Sequence, residues 1–182
     1  MGRSTLLDRA LDAVGGAADR VAVNVHHGRD QMLEHLAGRP GVHVSVEESE
    51  ALGTAGAVAH LRDWIGGGGV LVVNADTVHD ADLSAFVDRW DGERVAVLTP
   101  TPGPFGPRSG VVASLVPSAL LAPLQEVPSG LWEVLWRDEV AAGRLVTVHH
   151  PGLFADCGTP AQYLAANLAL SGGASVVGEG AV

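Results

Sequence analysis

Hydrophobic residues along this chain recur at two spacings, one typical of short buried strands and the other of amphipathic helices. Strand-like runs cover residues 20–25, 42–46, 70–74, 94–98, 111–116 and 144–149. Helical spacing covers residues 5–14, 28–37, 54–65, 83–90, 117–124, 131–141 and 160–170. Regular alternation of strand and helix is typical of a mostly parallel sheet with helices on both faces. The pattern therefore predicts an α/β fold of three layers.

Polar residues stand where several predicted helices begin, as N-caps do. Ser4 precedes the first helix, and Thr54 opens the third. Asp80 or Asp82 is in position to cap the helix at residues 83–90. We expect these side chains to accept hydrogen bonds from the first backbone amides of their helices.

The residue pattern divides the chain into one long globular part and a short tail. Residues 1–172 hold all the predicted strands and helices, interrupted at residues 99–109 by a loop rich in proline and glycine. Residues 173–182 carry small aliphatic residues and glycines at short spacing, which resembles the first turn of a truncated hexapeptide-repeat β-helix. A plain frayed terminus explains the same tail equally well.

Composition narrows the class of protein. Hydrophobic residues make up 47% of the 182 residues and charged residues only 18%, which is typical of a folded domain rather than a disordered chain. The net charge of −10 argues against binding to nucleic acid, and all 11 basic residues are arginine. No apolar run is long enough to span a membrane. A single cysteine and an N-terminus unlike a signal peptide lead us to expect a cytoplasmic setting.

Two acids at predicted strand ends carry the strongest chemical signal. Asp76 follows the buried run at residues 70–74, and Asp156 stands before Cys157 and Gly158. Ligands of open α/β sheets bind at that edge, and Mg²⁺ carrying phosphate groups takes one or two carboxylates. The pair therefore indicates a metal-assisted nucleotide site. Turn formation and helix capping are the competing interpretation of acids in these places.

Histidine pairs follow two other predicted strands, at His26-His27 and at His149-His150. Neighbouring strand residues point to opposite faces, so a zinc site is only a weak alternative here. We expect one histidine of each pair to line the cleft. Cys157 is expected to be a small buried residue rather than a nucleophile.

Aromatic and basic residues elsewhere are open to more than one interpretation. Trp132 and Trp136 are four residues apart on a predicted helix, a spacing more typical of core or interface than of a base-stacking platform. Arg108 is the one basic residue of the proline-rich loop. It could reach a sugar phosphate, although a solvated loop arginine is the simpler interpretation.

Five segments of the chain stand in a characteristic order and spacing. They are Leu6–Leu11 (LLDRAL), Val23–His27 (VNVHH), Glu50–Gly56 (EALGTAG), Val72–Asp76 (VVNAD) and Asp156–Pro160 (DCGTP). Together they resemble the motifs of the sugar-1-phosphate nucleotidyltransferases, a family that includes mannose-1-phosphate guanylyltransferases. The LGTAG and DCGTP segments are the most specific. The resemblance covers most of the chain and implies a Rossmann-like nucleotide-diphospho-sugar transferase fold.

The resemblance also implies an activity and a cofactor. Enzymes of this family join a nucleoside triphosphate to a sugar 1-phosphate and release pyrophosphate. Asp76 and Asp156 match the family's metal-binding acids, so they are the expected catalytic residues and ligands of Mg²⁺.

Further site residues follow from the same motifs. The positions expected to contact the nucleotide are Leu52, Gly53, Thr54 and Asn74. Glycine at residue 53 would let the backbone come close to that ligand. His26 and His27 fall near the ligand edge of the sheet and are the expected substrate-binding residues.

The chain also departs from the family. The phosphate loop of the form GxGxRxxP, the Pro-Lys-Pro segment and the central acid-Lys-Pro segment have no counterpart among these residues, and no lysine is present. We therefore expect the sheet to lack the family's first strand and to expose edges that favour a homo-oligomer. Three explanations are open: a start codon placed too far downstream, a fragment, or a catalytically inactive nucleotide-sugar-binding or regulatory subunit.

Overall fold

A computed structural model of the chain describes residues 4–172, which form eight strands and seven α-helices. The strands are β1 (Val21–Val25), β2 (Val42–Val46), β3 (Val70–Val72), β4 (Thr77–His79), β5 (Ala96–Thr99), β6 (Ala113–Val116), β7 (Val146–His149) and β8 (Phe154–Asp156). The α-helices are α1 (Leu6–Val14), α2 (Arg29–Ala37), α3 (Gly53–His60), α4 (Arg62–Ile65), α5 (Leu83–Asp88), α6 (Arg137–Ala141) and α7 (Pro160–Leu170). The tail at residues 173–182, with its expected β-helix turn, lies outside the described residues.

Strand pairing is mixed in direction. The four-stranded sheet has the order β3-β6-β5-β7, in which β5 and β7 are parallel and β6 is antiparallel to both of its neighbours. β1 and β2 form a parallel pair, whereas β4 and β8 form an antiparallel pair. β6 reverses direction because the proline-rich loop before it holds no crossover helix. The α/β architecture is as expected, with antiparallel steps added to its parallel pairs.

The four-stranded sheet packs helices against both of its faces. On β5 the side chain of Val97 joins a core with α3 and the segment around Leu135, whereas Ala96 and Leu98 join a core with α5. Alternation of side chains along a strand explains this division. Val97 is 0% exposed, so β5 is the centre of the three layers.

Helix starts differ from the expected caps at two of three positions. Thr5, not Ser4, is the N-cap of α1, and it forms a capping box with Asp8. Leu52 is the N-cap of α3, while the Thr54 hydroxyl instead accepts a hydrogen bond from the Leu131 amide at 3.2 Å. Asp82 caps α5 as expected, accepting from the Ala85 amide.

The predicted helix at residues 131–141 changes type along its length. Trp132–Trp136 is a π-helix, in which the Arg137 N–H donates to the Trp132 carbonyl five residues before it. α6 then continues it. Insertions of π-helix occur frequently at functional sites. The predicted helix at residues 117–124 is reduced to one 3₁₀ turn at Ser118–Leu120.

Six of the eight described strands pair on one side only, and β1 and β3 are two of them. β1 pairs only with β2, and β3 pairs only with β6. Each therefore offers backbone N–H and C=O groups to a further strand. Within residues 4–172, no helix combines the length and apolar character that crossing a membrane requires.

Candidate functional site

Asp76 and Asp156 meet at one end of the β4–β8 ladder, which we call the acid edge. Thr77 pairs with Asp156 in this ladder, and the Cys157 amide donates to the Asp76 carbonyl at 2.8 Å. A Cβ atom placed on Gly158 would lie 3.2 Å from Asp156 Oδ1 and 3.7 Å from Asp76 Oδ2. The two carboxylates, 80 residues apart in sequence, therefore converge on a single point, as the sequence predicts.

Local hydrogen bonds fix the geometry of this edge. Asp156 Oδ1 accepts from the Gly158 amide at 2.9 Å. The buried Thr77 hydroxyl donates to the Asn74 carbonyl at 2.9 Å, which closes the turn between β3 and β4. Both acids remain exposed to solvent. The backbone is thus held in place while the carboxylates stay available to a ligand.

The donor set at the acid edge fits Mg²⁺. Two carboxylates are what this ion takes when phosphate groups and water complete its shell. Among the described residues no group of three or more histidine, cysteine and acidic side chains could hold a metal by itself. A phosphate-bearing partner would therefore have to complete the coordination.

Cys157 lies between the two acids and is buried, at 8% exposure. Burial raises the pKa of its thiol, and the Asp156 and Asp76 charges raise the pKa further. The thiol is consequently kept protonated and is a poor nucleophile. Its packing role agrees with the expectation from the sequence.

The LGTAG segment packs closely against residues 127–131, which we call the strap. The Ala55 amide donates to the Ser129 carbonyl at 3.0 Å, and the Ser129 amide donates to the Leu52 carbonyl at 2.9 Å. A Cβ at Gly53 would lie 2.6 Å from the Ser129 carbonyl oxygen, and Gly53 has a φ of +67°. The close approach that requires glycine here is made to the chain's own strap, whereas the sequence suggested a ligand.

Glu47 supports the same segment from the other side. It is only 4% exposed, and its Oε2 accepts from the Leu52 amide at 2.9 Å. Its Oε1 accepts from the Asn24 side-chain amide at 3.0 Å. A buried carboxylate thereby fixes the entry to α3, a role that sequence reasoning missed because three acids stand close together at residues 47–50.

His26 and His27 make no hydrogen bond to the two acids in the described part of the chain. His26 Nδ1 lies 2.9 Å from the Glu47 carbonyl oxygen, and His27 is exposed. Among the described residues no hydrogen bond joins either of them to Asp76 or Asp156. Their expected role in substrate binding stays a prediction.

A second histidine cluster closes the loop after β7. His150 Nε2 lies 2.8 Å from Asp80 Oδ1 and within 3.3 Å of the Leu153 carbonyl oxygen. Burial lowers the pKa of the nearby His79, with the His150 charge adding to that effect. These contacts hold the β7–β8 loop against the end of β4, and so stabilise the ladder that carries the acid edge.

A cavity of about 190 Å³, which we call the aromatic pocket, reaches Asn74, two residues before Asp76 in the sequence. Two of the expected nucleotide-binding residues, Thr54 and Asn74, are in its wall. The rest of the wall is formed by Val72, Val111, Val112, Ser114, Gly130, Leu131, Trp132, Glu133 and Trp136. Sequence reasoning missed this pocket, although a serine within the otherwise apolar run at residues 111–116 was a signal for it.

Phe105 anchors the proline-rich loop to the pocket. Its ring packs edge-on against Trp132 and Trp136, with ring centroids 5.8 and 5.5 Å away. A larger open groove of about 410 Å³ runs between α5 and β7, but it includes none of the expected site residues.

Solved structures share the α/β fold of this chain. A provisionally assigned glucose-1-phosphate thymidylyltransferase from Bacillus anthracis, in complex with a sucrose, matches 98% of this chain and 86% of its own with a TM-score of 0.75. HddC from Yersinia pseudotuberculosis matches 90% and 83% with a TM-score of 0.69. Their identities of 16% and 14% establish the fold alone.

Sequence comparison supplies the family. The chain belongs to the MobA-like NTP transferase domain family, whose model matches residues 1–175. A relative from Caulobacter vibrioides, N-acetylmuramate alpha-1-phosphate uridylyltransferase, is 29% identical over 91% of this chain and 84% of its own length. Bifunctional protein GlmU from Chromohalobacter salexigens is 35% identical over 49% of this chain, which is 20% of its length. The expected sugar-1-phosphate nucleotidyltransferase family of enzymes is thereby confirmed.

Proposed function

We propose that this chain joins a nucleoside triphosphate to a sugar 1-phosphate, with Asp76 and Asp156 holding Mg²⁺ at the acid edge. The observation that carries the proposal is the convergence of the two carboxylates beside Gly158. The family supports nucleotidyl transfer, and the donor set supports a hard cation.

The chemistry is a transfer between phosphates. An oxygen of the sugar 1-phosphate attacks the α-phosphorus of the triphosphate, a new P–O bond forms, and the α–β bond breaks to release pyrophosphate. Such reactions depend mainly on positioning and on stabilising charge. When bound, Mg²⁺ would neutralise part of the phosphate charge. This matters here because the chain itself carries a net charge of −10 and so repels anionic substrates.

The chain's own residues would position the substrates. Asp156, oriented by the Gly158 amide, and Asp76 form the acid edge at which the phosphates gather. The strapped segment Leu52–Thr54 and Asn74 would hold the nucleotide, and His26 and His27 would contact substrate from the β1 side.

A second candidate is a binding subunit without turnover. The observation that favours it is that none of the 182 residues is lysine, so no lysine side chain is present to neutralise a triphosphate. Such a subunit would bind nucleotide with Mg²⁺ but release no pyrophosphate.

Pyrophosphate release over the common triphosphates and sugar 1-phosphates tests both candidates, with UTP first because of the uridylyltransferase relative. Mg²⁺-dependent release that Asp156→Asn removes and Asp88→Asn retains would support the enzyme. Nucleotide binding without release would support the binding subunit. Absence of both would overturn the proposal.

We also infer that the free edges of β1 and β3 favour a homo-oligomer. Light scattering after size exclusion checks this, and a strictly monomeric protein at high concentration would contradict it. The cytoplasmic setting expected from the sequence stays a prediction.

A further inference from the structure

β7 is the outermost strand of the four-stranded sheet, and among the described strands it pairs only with β5. The Val146 amide donates to the Val95 carbonyl at 2.8 Å, and the His150 amide donates to the Thr99 carbonyl at 2.9 Å. Because backbone groups alternate in direction along a strand, residues 146, 148 and 150 point their N–H and C=O groups toward β5.

The same alternation turns the backbone of Thr147 and His149 away from the sheet. Within residues 4–172 neither of these two amides has a backbone acceptor, and both residues are exposed to solvent. Each residue therefore offers one N–H and one C=O group to a further strand.

β7 differs from the other described edge strands in the charge around it. No acidic residue stands between residues 140 and 155, and Glu139, just before them, is buried and bound by Arg144 Nη2 at 2.6 Å. Acids stand beside or within the other edge strands: Asp19 near β1, Glu47 after β2, Asp76 near β3 and β4, and Asp156 in β8. Since the net charge is −10, two copies of this chain repel each other least at β7.

One face of β7 is also apolar and incompletely covered. α5 is only six residues long, and the open groove of about 410 Å³ separates it from β7. Val146 and Val148 line this groove, and Val148 is 37% exposed. The acids of the groove wall, Asp82 and Asp91, are both held in hydrogen bonds on the α5 side. An apolar side chain beside Val148 would therefore extend an apolar surface.

We propose that two copies of this chain pair β7 with β7 in antiparallel direction, about a two-fold axis at Val148, so that one sheet runs through both copies. Thr147 of each copy then lies opposite His149 of the other, and their outward groups form four hydrogen bonds. Val148 lies opposite its own symmetry mate, with Cα atoms about 4.5 Å apart, which covers its exposed side chain.

The hydrogen bonds already present select this register. A two-fold axis at Thr147 would place His149 opposite Leu145, whose amide already donates to the Glu139 carbonyl. The axis at Val148 uses every free outward N–H of β7. A self-complementary patch of this kind produces a closed dimer. The inference is independent of nucleotidyl transfer and names the edge through which copies of the chain associate.

Light scattering after size exclusion, over a concentration series of the full 182-residue chain, is the first test. We expect the mass to approach twice that of one chain as concentration rises. Thr147→Pro removes the outward N–H from each copy, and edge strands tolerate proline where the N–H faces solvent. We expect dimerisation to weaken about tenfold or more, since two of four hydrogen bonds are lost. Thr147→Val keeps the N–H and is the matched control, and circular dichroism checks that each variant is folded.

Oxidative cross-linking tests the register itself. Val148→Cys places two thiols opposite each other within the Cα separation of about 4.4–6.8 Å that a disulfide needs. Val146→Cys is the matched control, because it lies on the same face but about 14 Å from its symmetry mate along the strands. The parent chain is the blank, since its single cysteine, Cys157, is buried at 8% exposure. We expect mild oxidation to produce a covalent dimer of Val148→Cys only.

Each outcome decides the inference. A dimer that Thr147→Pro leaves intact, or one that cross-links equally through Val146→Cys, would overturn β7 pairing and assign the contact to another edge. A strictly monomeric chain that forms no cross-link would overturn both this inference and the expected homo-oligomer. If Thr147→Pro fails to fold, the cysteine pair decides alone. Pyrophosphate release by a monomer would leave the proposed enzyme activity standing.

Discussion

The acid edge and the aromatic pocket are joined by the short segment from Asn74 to Asp76, yet they are built in opposite ways. The acid edge consists of two exposed carboxylates on a backbone ladder, and each comes from a short contiguous motif. The pocket draws its wall from four separate segments, and its Ser114 is fully buried. Substitutions at the edge should therefore change chemistry without changing the fold, whereas substitutions around the pocket should change both.

The largest expected effect on stability is at the strap. A Cβ at Gly56 would lie 2.4 Å from the Val127 carbonyl oxygen, which is backbone and cannot easily move. We expect Gly56→Ala to reduce the free energy of unfolding by about 2–4 kcal/mol, measured by urea denaturation. Gly67→Ala is the matched control, since nothing lies within 4 Å of its new Cβ. Equal stability of the two variants would show that the strap is not closely packed.

A smaller effect is expected at Glu47. Both of its carboxylate oxygens accept from N–H donors, so Glu47→Gln would turn an amide donor toward another donor. We expect a loss of about 1–3 kcal/mol in unfolding free energy. Glu48→Gln is the control, because the Glu48 side chain is 75% exposed. If Glu47→Gln is as stable as Glu48→Gln, the carboxylate does not fix the entry to α3.

The smallest effect concerns Asp8, in the first turn of α1. Hydrogen bonds from the Thr5 backbone, His35, the Thr5 hydroxyl and Arg39 hold the pKa of Asp8 well below its usual range. Folding lowers this pKa, so the stabilisation is complete above the unfolded pKa of about 3.9 and is lost as pH falls below it.

We expect Asp8→Asn to cost about 1 kcal/mol at pH 7 and progressively less below about pH 4. Urea denaturation at pH 7 and below about pH 4 measures this cost. Asp12→Asn is the control, because the Asp12 side chain is 74% exposed. A cost that is independent of pH would mean that the Asp8 charge plays no part.

Sequence reasoning recovered the acid edge better than the pocket, for physical reasons. α7 begins and ends as its spacing predicts, because proline and a capping threonine mark its start. Asp76 and Asp156 were found because motifs at strand ends are local. β4 and β8 are only three residues long and pair across the chain, so periodicity could not reveal their ladder.

Local motifs and periodicity could not reveal the aromatic pocket. Trp136 packs against core residues, as its spacing predicts, and Trp132 packs against Phe105. The π-helix also brings both rings to a cavity. Glycine at residue 53 suggested a close approach to a ligand. The structure shows a close approach of Gly53 to the strap, and its expected nucleotide contact stays a prediction. The pocket and the packing of the LGTAG segment both depend on contacts between segments more than 70 residues apart, such as Leu131 with Thr54.

Calorimetric titration of a nucleoside triphosphate, with and without Mg²⁺, tests the metal assignment most directly. Asp76→Asn keeps the size of the side chain and removes its charge, and Asp88→Asn is the surface control. The account predicts that Mg²⁺ strengthens binding to the parent chain and to Asp88→Asn, and that this strengthening disappears in Asp76→Asn. Undiminished Mg²⁺ dependence in Asp76→Asn would contradict the assignment of the acid edge as the metal site.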